Sequence, residues 1–236
     1  VPLARLGYAA TESLVAALAD LNLGANLGAP GLAERLHRET EGNPFFLMSI
    51  LQSLSEGETQ LEPRAGGGPG LLPDALRAAV RVRLAHVPKE IRPMLETAAV
   101  LGRRFDFDTL LDVTREPEEQ LLDAVEALVR RRLLREEPED GVYDFSHDKI
   151  RDVVYRDIGG ARRRLLHQSV AEALERRGEG ETHERDARLA EHYERAHVWS
   201  KALRYLVLAG ERSQALFAMR DALHWLDRAV ALFESH

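Results

Sequence analysis

The sequence predicts a mainly α protein with three parts: a helical N-terminal segment, a winged helix with a small β-hairpin, and a TPR-like antiparallel helical array. Three observations predict it. Apolar residues recur at helical spacing along most of the 236 residues. From residue 88 to residue 145 the signals run helix, helix, helix, hairpin, which is winged-helix order. After Ser146 only helical segments follow, and Tyr193-Glu194-Arg195-Ala196 matches Leu226-Asp227-Arg228-Ala229 at an offset of 33 residues. That is close to the TPR period of about 34.

In chain order, residues 1–8 read as an extended lead-in. Thr11 is placed to cap a helix that runs to Asp20, with Leu14, Val15 and Leu18 on one face. Residues 24–31 form a turn-rich loop, and a second helix covers 32–40 with Leu32 and Leu36 inward. Gly42-Asn43-Pro44 then makes a corner. Glycine reaches dihedrals that other residues avoid, and proline presets φ for a first helical position. The helix it opens carries Phe45, Phe46, Met48, Ile50, Leu51 and Leu54. Residues 58–72 include Arg64-Ala65-Gly66-Gly67-Gly68-Pro69-Gly70 and are expected to be a flexible linker, because glycine this dense costs much entropy to order.

Pro73 starts a helix to His86; Pro88 breaks it and opens another to Leu101. A short helix over 107–113 and a longer one from Pro117 to Arg131 follow. Leu133-Leu134-Arg135 and Val142-Tyr143-Asp144-Phe145 read as strands around the turn 137–141. The remaining helices are placed at 147–157, 160–177, 183–196, 199–213 and 216–234. Ala190, Ala196, Ala202 and Ala209 permit close packing, and Tyr193, Trp199, Tyr205 and Trp225 fill the gaps. The expected division is 1–57, a linker at 58–72, a linker helix and winged helix at 73–158, and repeats at 159–236.

Four motifs in this order resemble the C-terminal half of a STAND-type regulatory ATPase, the class that includes large LuxR-type activators and NB-ARC proteins. They are Glu41-Gly42-Asn43-Pro44-Phe45-Phe46-Leu47, the run Leu72-Pro73 to Arg83-Leu84, Ala98-Ala99-Val100-Leu101-Gly102 with Phe105, and Phe145-Ser146-His147-Asp148 to Tyr155. They cover residues from about 30 to 160. The resemblance implies a helical lid over 1–57 whose Gly42, Asn43 and Pro44 pack on the adenine of a nucleotide. It also implies that His147, with Asp148 beside it, reaches the β-phosphate of ADP and locks a closed state. Read from the residues alone, the corner is a helix start, and Ser146 is the N-cap of a helix with His147 exposed in its first turn.

Other chemistry finds no motif. No Gly-x-x-x-x-Gly-Lys-Ser/Thr and no strand ending in paired acids occur, so neither a phosphate loop nor a magnesium site is encoded. There is no His-Glu-x-x-His, no Gly-x-Ser-x-Gly and no cysteine. The net charge of −7 argues against general affinity for nucleic acid. The presumed recognition helix opens Glu116-Pro117-Glu118-Glu119, where a DNA reader would meet phosphates. Arg130-Arg131-Arg132 and Arg162-Arg163-Arg164 suit solvated helix ends. No apolar run reaches about 20 residues, so no membrane span is expected.

The chain opens at Val1 without a methionine and reads as a piece of a longer protein, beginning just after an α/β nucleotide core. Without the phosphate-binding half it is expected to be non-catalytic, and the absence of cysteine suits a reducing cytoplasm, the expected location. ATP or ADP would bind the parent protein, with none held tightly by this fragment. The implied partners are the upstream α/β core in cis, a protein or small-molecule inducer at the repeats, and further copies through self-association. Direct DNA binding is not expected. The competing readings are a winged-helix DNA-binding protein and a helical-repeat adaptor without nucleotide.

Overall fold

The computed structural model describes residues 5–20, 31–55, 74–138, 141–178 and 182–236. The chain is mainly α, with twelve helices and one small antiparallel sheet among the described residues. It divides into two compact bodies, Val1–His86 and Val87–His236. The glycine-rich stretch 58–72 lies outside the described residues.

The first body holds α1 (Tyr8–Asp20), α2 (Leu32–Thr40), α3 (Pro44–Ser55) and α4 (Asp74–Ala85). Its core is the expected apolar stripe, with Val15, Leu32, Leu36, Phe46, Ile50 and Val80 all buried. Met48 instead turns outward. The start of α1 differs from the sequence expectation. The helix begins at Tyr8, and Thr11 is a buried residue inside it rather than its cap. The Thr11 hydroxyl donates to Gly7 O at 3.2 Å and lies 3.2 Å from His37 Nδ1. A tertiary partner across to α2 has claimed the side chain that looked like a cap.

The second body opens with a tight turn, in which the amides of Ile91 and Arg92 both donate to Pro88 O. Because of this turn, α5 starts at Arg92 rather than at Pro88 and runs to Leu101. Then come β1 (Arg104–Asp106), α6 (Phe107–Thr114), α7 (Glu118–Arg130), β2 (Leu134–Glu136) and β3 (Val142–Phe145). The strand order is β1-β3-β2, with Phe105 opposite Tyr143 and Leu134 opposite Phe145. Helix, strand, two helices and a hairpin closing onto the first strand make up a winged helix. The rings of Phe105, Tyr143 and Phe145 cluster at 6.1 and 6.3 Å on its buried side.

From there come α8 (Asp148–Asp157) and α9 (Gly160–Arg177), both packed against α5, and then α10 (His183–Arg195), α11 (Trp199–Ala215) and α12 (Met219–Ser235), with α9 to α12 each packed on the next. The α10–α11 and α11–α12 turns are the same turn twice. His197 and Phe217 take φ of 61° and 58°. Their amides close on Glu194 O and Gln214 O, and the next amides close on Tyr193 O and Ser213 O. This paired bonding satisfies the last carbonyls of each helix and reverses the chain in a fixed way. Buried Ala171, Ala190, Ala202 and Ala209 let the backbones approach closely, and Leu189, Tyr193, Tyr205 and Leu206 fill the core between them.

Candidate functional site

The Gly42–Pro44 corner is built by a crossing of two backbones. Gly42 O accepts the Leu6 amide at 2.7 Å, and Gly42 has φ +71°. A Cβ on Gly42 would sit 2.0 Å from Leu6 O, so only glycine fits. Glu41, also at positive φ, forms an ion pair with Arg5 at 2.6 Å. The Asn43 amide closes the turn on Thr40 O, and Asn43 O accepts the Leu47 amide. Pro44 follows as the first residue of α3, half-buried, above the fully buried Phe46 and Leu47. The corner therefore holds a rigid, half-buried apolar ring in a fixed place at the head of α3.

At the start of α8 the structure corrects the sequence reading. His147, not Ser146, is the N-cap: its Nδ1 accepts the Lys149 amide at 3.2 Å. His147 is 1% exposed rather than an open first-turn residue. The Ser146 hydroxyl donates to Arg132 O on the preceding turn, which ties α8 to the end of α7. Asp148 accepts from Arg103 at 2.8 Å. Arg103 also reaches the buried Asp144 at 3.3 Å, and Arg135 donates to Asp144 at 2.6 Å. An Nδ1 that accepts an amide proton cannot donate to phosphate through the same atom. As placed, that atom of His147 serves its own helix, and Asp148 serves the sheet.

Two polar networks, one buried around a histidine pair and one part-buried around Glu175, were not singled out from the sequence. In the first, Tyr155 on α8 lies 2.8 Å from Nε2 of His167 on α9, and His167 Nδ1 lies 2.9 Å from Nδ1 of His192 on α10. Burial, and then Arg195, Arg163 and Arg151, push His167 down to about 4. Burial likewise holds His192 well below the ordinary range. In the second, Glu175 on α9 accepts from Tyr193, Lys201 and Tyr205 at 2.6, 2.7 and 2.6 Å. Burial alone would raise the Glu175 carboxyl, but the three donors overcome it and lower it to about 2. Tyr193 and Tyr205 are each raised to about 12, by burial first and by Glu175 next. The signal available in the sequence was polar residues on otherwise apolar helix faces, which does not say what they meet.

Among the described residues no group of three or more His, Asp or Glu side chains is placed to hold a metal, and no helix is long and apolar enough to cross a membrane. No family model matches the chain. The chain is similar to an uncharacterized protein of Rhizobium meliloti (strain 1021), with 24% identity over 220 residues. The match covers 86% of this chain and 20% of that protein, so the chain spans about a fifth of the length of this relative.

Proposed function

We propose that this chain is the regulatory, non-catalytic arm of a STAND-type, nucleotide-controlled switch in transcription activation, acting in the cytoplasm. The observation that carries the reading is the Gly42–Pro44 corner. A backbone clamp to Leu6 fixes a partly open proline ring at the head of α3. In this reading the corner packs on the base of ADP or ATP whose phosphates are held by an α/β core elsewhere in the parent protein. The winged helix and repeats couple an inducer to that state. A switch needs contacts that differ between its two states, and the corner supplies one that a released lid would lose. DNA reading is not part of the proposal, because α7 opens with exposed Glu118 and Glu119.

The test is calorimetric titration of ADP into the parent protein containing that core. Pro44→Ala is expected to weaken binding several-fold, while Gly31→Ala, in an open turn of the same body, leaves it unchanged. Absence of binding, or binding indifferent to Pro44→Ala, would sink the reading. A second reading, a helical-repeat adaptor without nucleotide, is favoured by the burial of His147 and the use of its Nδ1 as a cap. It requires His147→Ala to destabilise α8 without changing ADP affinity.

A further inference from the structure

The corner that carries Pro44 is held from outside by the segment that leads into α1. Two consecutive residues on each side meet. Arg5 pairs with Glu41 at 2.6 Å, and the Leu6 amide donates to Gly42 O at 2.7 Å. A Cβ on Gly42 would lie 2.0, 3.1 and 3.2 Å from O, C and N of Leu6, so the two backbones touch along the whole of Leu6. The segment is itself fixed on its other side. The Thr11 amide and hydroxyl both donate to Gly7 O, at 3.0 and 3.2 Å. Thr11 and the Tyr8 ring both meet His37 of α2.

Glu41 and Gly42 are consecutive and both left-handed, at φ 49° and 71°. That conformation is costly for glutamate, and such a backbone persists only where its neighbours hold it. Arg5 holds the Glu41 side chain, and Leu6 holds the next carbonyl. Pro44 follows two residues later as the first residue of α3. When residues 5 and 6 shift, the turn loses contacts that fix its dihedrals, and the proline ring moves with it. The ring has no rotamers with which to adapt. A gap of about 0.5–1 Å already forfeits a quarter to a half of the attraction across a contact. We propose that Arg5 and Leu6 are positioning residues for the nucleotide base. They form a strap that keeps Pro44 in place, and release of the strap lowers affinity for the base while the phosphate contacts stay unchanged. This proposal rests on the nucleotide reading above and adds to it the segment that controls the site.

Calorimetry on the parent protein tests it, with ADP and with pyrophosphate, which has no base. Leu6→Pro removes the amide proton given to Gly42 O, and Arg5→Glu sets two carboxylates against each other. Each should weaken ADP binding roughly three- to tenfold and leave pyrophosphate affinity unchanged. The exchange Arg5→Glu with Glu41→Arg should restore ADP affinity. In a Pro44→Ala background Arg5→Glu should cost nothing further, because the strap acts through that ring. ADP binding that is weakened by Pro44→Ala but indifferent to both Arg5→Glu and Leu6→Pro overturns the strap and leaves the nucleotide reading standing. Equal losses for ADP and pyrophosphate overturn the strap as well, as does an exchange that restores nothing. ADP binding that is absent, or indifferent to Pro44→Ala, overturns the nucleotide reading and the strap with it.

Discussion

Nδ1 of His167 lies 2.9 Å from Nδ1 of His192, and both rings are buried. Two nitrogens at this distance share one proton, so one ring donates and the other accepts. With Tyr155 at the far nitrogen of His167, the chain of polar atoms joins α8, α9 and α10. The surroundings are cationic: Arg151 and Arg163 lie over the Tyr155 ring, and Arg188 and Arg195 face the pair from α10.

This arrangement sets the response to acid. His167 titrates near 4 in the folded chain and near 6.5 when unfolded. The unfolded chain therefore binds more protons between these values, and stability falls as pH drops from about 6.5 toward 4. Urea unfolding at pH 7.5 and pH 5 should differ by on the order of 1–2 kcal/mol. The window above pH 5 separates this effect from carboxylate titration. The double variant His167→Asn, His192→Asn should flatten the dependence, and an unchanged slope would contradict the buried neutral pair.

Gly42→Ala tests the corner. The added methyl carbon would lie 2.0 Å from Leu6 O, on a backbone at φ +71°. Left-handed backbone alone costs a non-glycine residue about 1–2 kcal/mol, and displacing the segment that carries Leu6 adds to it. Gly31→Ala, at φ +74° with nothing within 4 Å, should incur the backbone cost only. Thermal unfolding of the first body should rank the two variants in that order, and equal losses would remove the clamp from the account.

Helix positions were readable because they rest on local signals. The stripe of α2, the proline that opens α3 and the glycines flanking α9 act within a few residues. What escaped depends on distant partners. Strand β1 has three residues, two of them charged, and exists because Arg104 and Phe105 meet Asp144 and Tyr143 some forty positions later. Thr11 and Ser146 are good caps in isolation, but His37 and Arg132 O claim their hydroxyls. The corner was legible as a corner, whereas its need for glycine comes from Leu6, a neighbour no local pattern announces.

His147 gives a cap prediction. Losing an N-cap acceptor costs about 1 kcal/mol, and burial of the ring adds a packing loss. His147→Ala should therefore lower the Tm of the second body. His147→Asn restores a short acceptor for the Lys149 amide and should recover part of the loss. If both variants unfold at the wild-type temperature, the cap assignment fails.

Glu175 is the point at which three helices are tied by polar atoms. Its carboxylate accepts Tyr193 from α10 and Lys201 and Tyr205 from α11, and the two tyrosine rings stack at 5.7 Å with 8° between their planes. The α9–α10–α11 contact therefore has a part-buried charged cluster beside its apolar core. Glu175→Ala leaves both hydroxyls without their acceptor. Lys201 is open enough to return to water, so the loss comes mainly from the tyrosines and should be roughly 2–3 kcal/mol. Tyr193→Phe and Tyr205→Phe should each cost about 1 kcal/mol and should couple, since each hydroxyl polarises the shared carboxylate. The pH sign also follows. With Glu175 lowered to about 2, its contribution is present in full above about 4.5 and is lost as pH falls toward 2, below the histidine window. A double-mutant cycle measured by urea unfolding at pH 7 checks both the size and the coupling. Additive losses would show that the tyrosines act by packing alone and that the carboxylate is incidental.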